Sequence, residues 1–246
     1  MLPMRSLRPS TGPLLAVALL VQSLPALGGD FMTRAAMRAP GHSLPSSPSP
    51  SLTSTLTHLA PRADPEVLHL AARALRCADP TAQRLAVIDF SLPSTERRLW
   101  VFDLHRKRLL FRELVSHGQG SGNALAKRFS NVPDSHQSSL GLFRTLNSYQ
   151  GRNGYSLRLE GLEPGVNDLA YRRAIVIHGA DYVSEAFIER TGRLGRSHGC
   201  PAVRQPVAAS LIDSLKEGQY LFTYYPDPNW LAHSAYFYCD RWVAMR

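Results

Sequence analysis

The chain has 246 residues, 44% of them hydrophobic, and a formal net charge of +9. That is enough apolar material for one sizeable core and a weak case for two large domains. Net charge speaks to steering rather than fold. The arginines are also scattered (Arg97-Arg98, Arg106-Lys107-Arg108, Arg172-Arg173), with no dense block and no interleaved aromatics, a pattern of solvated faces that argues against a nucleic-acid partner.

Residues 1–28 read as a secretory signal peptide. Arg5 and Arg8 form a positive start, Leu14 to Val21 an apolar stretch, and Gln22 to Gly29 carries the small residues of a cleavage site, after Ala26 or Gly28. Retention as an anchor is the alternative reading. No cysteine stands at the cleavage region, which argues against a lipoprotein, and no later segment approaches the ~20 apolar residues of a membrane span. Cleavage would remove two arginines and no acid, leaving +7. The expected location is periplasmic or secreted, with no stable membrane span after cleavage.

Residues 29–63 hold Pro40, Pro45, Pro48, Pro50 and Pro61 among many serines and threonines, and read as a disordered linker. A single domain is expected over 64–246. Asp64-Pro65 is a cap followed by proline at the first helical position, and Val67, Leu68, Ala71, Ala74 and Leu75 follow at helical spacing, which predicts a helix over 65–77. Short apolar runs at Leu85–Phe90, Leu99–Leu104 and Leu109–Val115 predict strands. The stretch His117-Gly118-Gln119-Gly120-Ser121-Gly122 does not match a nucleotide-binding spacing and reads as a flexible loop beside a cleft. Further turn-and-strand signals fill 130–146 and 151–162, with Asn153-Gly154 as a tight turn. A buried strand is expected over Arg173–His178, a helix over Asp181–Glu189, another from Gln205 to Lys216, and a closing strand over Gln219–Tyr225. Trp230, Tyr236, Phe237, Tyr238 and Trp242 predict a tail that packs over the core.

Ser197-His198-Gly199-Cys200 is the run that carries chemistry. A thiol near pKa ~8.5 needs a neighbouring imidazole or positive field to become a useful thiolate. His198 and the upstream His178, in the apolar segment Ile175-Val176-Ile177-His178-Gly179, are both candidates for that neighbour. Gly199 lets a substrate carbonyl approach the Cys200 N–H, and Pro201 has no N–H to offer. His178, His198 and Cys200 lack the paired spacing of a zinc site, so no metal is expected. Three cysteines in an exported chain leave an odd count. If Cys200 stays free, Cys77 and Cys239 are available as a disulfide or as two buried thiols.

The combination Ile177-His178-Gly179-Ala180 with Gly195-Arg196-Ser197-His198-Gly199-Cys200-Pro201-Ala202 resembles the murein L,D-transpeptidase catalytic domain of the YkuD-like superfamily, in its SHGCPA-type branch. The resemblance extends through His117-Gly118, Phe129-Ser130-Asn131, Ser138-Ser139-Leu140-Gly141 and Asn167-Asp168, over about residues 80–226. It implies a mainly β fold with peripheral helices, sandwich or barrel-like, and a thiol in a cleft over the sheet. Cys200 would be the nucleophile, with His178 as base or thiolate partner, or His198 in its place, and with Ser197, His198 and Gly199 shaping the site. His117, Gly179 and Arg204 would contribute to substrate binding. The implied substrate is a peptidoglycan stem tetrapeptide, cut between the L-centre of diaminopimelate and terminal D-alanine with no cofactor. The same thioester would give a 3–3 cross-link with an amine or a carboxypeptidase product with water. Another cysteine peptidase or amidase of cell-wall peptides, and a non-catalytic wall-binding protein, are the competing classes. The 22 positions from His178 to Cys200 exceed the spacing of the familiar branch and predict an inserted helix on one wall of the cleft.

Overall fold

The structure, a computed structural model, describes residues 50–239. The signal-peptide reading over 1–28 and the first part of the expected linker lie outside the described residues. Among the described residues no helix is long and apolar enough to cross a membrane.

The linker reading needs correction at its C-terminal end. Leu52–Leu59 forms helix α1, started by Ser51, whose Oγ accepts from the Ser54 N–H at 3.1 Å. Leu56, Ala60 and Ala63 are buried in the main core. The Ser/Thr density that suggested disorder lies on a helix whose apolar residues recur at i, i+4 and i+7 as Leu52, Leu56 and Leu59. Helix α2, Pro65–Ala78, follows as expected: Asp64 Oδ1 caps the Glu66 N–H at 2.8 Å, and Val67, Leu68, Ala71, Ala72, Ala74 and Leu75 face the core.

Among the described residues eight strands form one sheet: β1 (Arg84–Asp89), β2 (Leu99–Asp103), β3 (Arg108–Glu113), β4 (Gly141–Gly151), β5 (Gly154–Gly161), β6 (Val176–Ala180), β7 (Ala202–Arg204) and β8 (Tyr220–Tyr224). Their order is β3-β2-β1-β8-β4-β5-β6-β7. The β1–β8 and β6–β7 pairs are parallel and the others antiparallel. The two ends of that order meet. Val115, just past β3, bridges Val203 of β7, and the Ser116 N–H donates to the Ala202 carbonyl at 2.9 Å. Arg204 then makes a two-pronged ion pair with Glu113, Nη2 to Oε1 at 2.6 Å and Nε to Oε2 at 2.8 Å. The sheet is therefore nearly closed and barrel-like, which leaves few exposed strand edges. The mainly β architecture agrees with expectation.

Helices α3 (Glu185–Thr191), α4 (Gln205–Leu215) and α5 (Pro228–His233) and a short 3₁₀ turn (Ala235–Phe237) complete the described chain. The described part of the tail packs on the core; Trp242 lies outside the described residues. Trp230 and Phe237 lie against Phe222, and the buried Glu163 carboxylate accepts from Trp230 Nε1 (2.9 Å), Ser234 Oγ (2.6 Å) and the Leu142 N–H (2.8 Å). Cys77 and Cys239 form a disulfide with Cα atoms 5.9 Å apart, which ties α2 to that tail.

Two arginines read as solvated are not. Arg98 is fully buried and donates to the carbonyls of Leu92 (2.7 Å) and Val115 (3.0 Å) and to His117 Nδ1 (2.8 Å). Arg173 is half-buried and is described with the site below.

Candidate active site

The site is built where β6 and β7 run side by side. His178 lies opposite Ala202 in their parallel register, and two residues earlier on each strand line Val176 meets Cys200. The Val176 N–H donates to Cys200 Sγ at 3.4 Å, and the thiol reaches the Ala174 carbonyl at 3.7 Å. Cys200 is the one free cysteine among the described residues. It shares a cavity of about 490 Å³ with His178, Ser197, His198, Arg173 and Tyr182. Tyr149, near the end of β4, and Arg152 and Asn153, from the turn between β4 and β5, complete the rim.

The turn that presents the thiol is held by its own serine. Ser197 Oγ donates to the Cys200 carbonyl at 2.6 Å and accepts from the Gly199 N–H at 3.1 Å. Gly199 has φ +117°, and a Cβ there would sit 2.8 Å from the Gln137 carbonyl oxygen, so a side chain is excluded twice over. Its carbonyl accepts from Ser138 Oγ at 3.1 Å. The Cys200 N–H has no acceptor among the described residues.

His178 is buried, and its Nδ1 lies 2.9 Å from the Gly179 carbonyl. A carbonyl can only accept, so the proton sits on Nδ1 and a neutral ring keeps Nε2 basic. Burial lowers the His178 pKa, against a smaller opposite effect of the Gly179 contact. Burial pushes the Cys200 thiol up, and the Val176 N–H and the Arg173 charge pull it partly back. Tyr182 is pushed up to about 12, chiefly by burial.

Arg173 was invisible to sequence reasoning as a site residue. Its Nη1 donates to the Ser130 carbonyl and Ser139 Oγ, both at 2.6 Å, and its Nη2 to the Gln137 carbonyl at 2.6 Å and Ser135 Oγ at 3.3 Å. One guanidinium thus fastens the 130–139 loop and brings positive charge to the thiol.

The chain matches the profile of the L,D-transpeptidase catalytic domain over residues 59–224, more than half its length. The chain belongs to that family. Among solved structures it is similar to an L,D-transpeptidase from Mycobacterium smegmatis (15% identity, TM-score 0.37, covering 58% of this chain and 59% of that one). It is also similar to an L,D-transpeptidase from Stackebrandtia nassauensis (13%, TM-score 0.35, 72% and 77%) and to the helical cell shape determining protein Pgp2 from Campylobacter jejuni (11%, TM-score 0.40, 64% and 55%). The chain spans about 59% of the length of the first of these. No curated protein matches it significantly.

The L,D-transpeptidase domain brings Cys200, His178, Ser197, Gly199 and His198 together, as the motif suggested. His198 differs from His178 in setting: it is exposed, with its ring stacked on His136 at 4.2 Å and 10°. Gly179 sits directly behind His178 and packs so closely on Gln205 and Ala208 of α4 that a Cβ there would collide with both. Two residues expected to bind substrate lie elsewhere. Arg204 is engaged with Glu113 at the barrel closure, and His117 is buried beside Arg98; neither lines the cavity.

The loop 117–122 is fastened rather than free. The Gly118 N–H donates to Ser138 Oγ (3.0 Å), the Gln119 N–H to the Ser197 carbonyl (2.8 Å) and the Gly120 N–H to the His136 carbonyl (2.9 Å). Its glycines allow backbones to approach from behind the thiol turn: a Cβ on Gly118 would lie 2.9 Å from Gly199 Cα. Asn131 and Asp168 likewise fasten loops, Nδ2 to Oδ1 at 2.8 Å. The expected helix in the 178–200 insertion is α3, but it does not line the cavity; Tyr182 and Arg196, outside the helix, do.

Proposed function

We propose that this chain is an exported cysteine acyltransferase of peptidoglycan stem peptides, forming 3–3 cross-links in the bacterial cell envelope with release of D-alanine. The observation that carries the reading is one cavity lined by a free thiol and an imidazole of fixed tautomer, with a backbone N–H at the thiol's own residue that has no acceptor among the described residues. The signal-like N-terminus and the Cys77–Cys239 disulfide support an oxidising, extracytoplasmic setting.

Burial keeps the resting thiol protonated, so proton removal and attack occur together. His178 Nε2 takes the Sγ proton as the sulfur bonds to the carbonyl carbon at the L-centre of diaminopimelate. The carbonyl π electrons move to oxygen, where the Cys200 N–H stabilises the charge. Collapse breaks the C–N bond, His178 returns the proton to the leaving nitrogen, and D-alanine departs from a Cys200 thioester. The amine of a second stem then attacks the thioester, gives up a proton through His178 and regenerates the thiol. Water in that place yields a tripeptide.

Incubation of disaccharide-tetrapeptides with the protein and with Cys200→Ala, followed by mass analysis of the products, tests this. Cys200-dependent 3–3 dimers with loss of D-alanine are expected. Tripeptide alone would replace transfer by carboxypeptidation, and equal product from Cys200→Ala would overturn the reading.

A further inference from the structure

A second basin of about 400 Å³ adjoins the thiol cavity and shares Arg173, Ala174 and His198 with it. Its other lining includes Asp134, His136 and Arg172. Three of the five non-glycine residues with left-handed φ among the described residues line this one basin: Asp134 (57°), His136 (53°) and Ala174 (52°). Such conformations are unfavourable for L-residues and gather where function over-determines the backbone.

The basin's charge is positive in excess, although the Nη atoms of Arg173 are already committed to the 130–139 loop. Arg172 is exposed and has no hydrogen bond or ion pair among the described residues, and with Arg173 it sets two guanidiniums against the single carboxylate of Asp134. Gln119 Nε2 donates to His136 Nδ1 at 2.9 Å. Nδ1 therefore accepts, and the neutral ring carries its proton on Nε2 as a further donor. His136 is held in place by its stack on His198. A planar guanidinium fork beside an imidazole N–H suits a carboxylate.

We infer that this basin binds the carboxylate adjacent to the nitrogen that leaves the acyl group, and the equivalent carboxylate beside the amine that enters. The inference rests on the acyl-transfer reading above. D-Alanine carries its carboxylate one carbon from the scissile nitrogen, and the D-centre of diaminopimelate carries amine and carboxylate on one carbon. The entering amine must occupy the place the leaving one vacates, so one subsite serves both half-reactions.

The test compares two donors, a disaccharide-tetrapeptide ending in D-alanine and the same compound ending in D-alaninamide, by the initial rate of release of the terminal residue at low donor concentration. The protein should process the free acid about tenfold faster, the scale of one charge-assisted hydrogen bond. Arg172→Glu should abolish or reverse that preference and Arg172→Lys should retain part of it, the readout being the acid-to-amide rate ratio within each protein. Because Arg172 is exposed, folding is checked by an unchanged melting curve. Equal rates for acid and amide in the unsubstituted protein, or an undiminished preference in Arg172→Glu, would overturn the inference alone. Release from neither donor would overturn the acyl-transfer reading and this inference with it.

Discussion

Removing the Cys77–Cys239 disulfide offers a perturbation whose size follows from the chain itself. The bridge joins residues 162 apart, and closing a loop of that length restricts the unfolded chain by about 5 kcal/mol in the entropy model. Native contacts at the tail do not depend on it: Trp230 and Phe237 stay packed on Phe222, and Glu163 holds Trp230 and Ser234. The double variant Cys77→Ala/Cys239→Ala should therefore remain folded with Cys200 chemistry intact, yet unfold in urea with a free energy lower by about 3–5 kcal/mol, allowing for structure retained in the unfolded state. A thiol titration in denaturant should count one group in the oxidised parent and three after reduction, since Cys200 is free. A stability difference under about 1 kcal/mol, with the bridge shown to be formed in the parent, would refute the loop-entropy argument.

Other outcomes follow from the buried charges and the barrel closure. Burial, with the Arg98 charge adding to it, lowers the His117 pKa to about 4. Between about pH 6.5 and 4 the unfolded chain therefore takes up a proton the folded one refuses, and stability should fall by on the order of 3 kcal/mol across that window. His117→Asn keeps an acceptor for Arg98 and should flatten the slope; an unchanged slope in urea titrations would contradict the assignment. Arg98→Met strands the carbonyls it serves and should cost about 2–4 kcal/mol by thermal unfolding, with Arg98→Lys a poor rescue because one ammonium cannot span the Leu92, Val115 and His117 acceptors. Arg204→Ala leaves Glu113 with only its longer ion pair to Arg97 and the Leu114 N–H, and should lower stability by about 1–3 kcal/mol while the KM for tetrapeptide holds. A raised KM at unchanged stability would return Arg204 to substrate binding.

The sequence carried the thiol motif and most of the regular elements because their signals are local. Asp64-Pro65 with helical apolar spacing announced α2, and apolar runs announced β1 and β2. What escaped was set by distant partners. β7 has three residues and is a strand only because β6 and the Val115 bridge pair with it. α1 lay under a Ser/Thr-rich composition that masked its three leucines. Arg98 and Arg173 look like any surface arginine in a row of letters, and only loop carbonyls brought from elsewhere in the chain bury them. His117 was found through a resemblance, but its burial beside Arg98 had no local trace. That His178 and Cys200 would lie close together could be guessed from motif order, and they do line one cavity, whereas the Gly179 carbonyl that fixes the His178 tautomer required the structure.

The central claim is that Cys200 forms a thioester with a stem peptide, and its most direct test is to quench the protein with disaccharide-tetrapeptide at early times and map the adduct by peptide mass analysis. An acyl group equal to the donor less D-alanine, on the fragment containing Cys200 and absent from Cys200→Ala, is the predicted result. Product formation with the adduct on another residue, or undiminished turnover in Cys200→Ala, would contradict it.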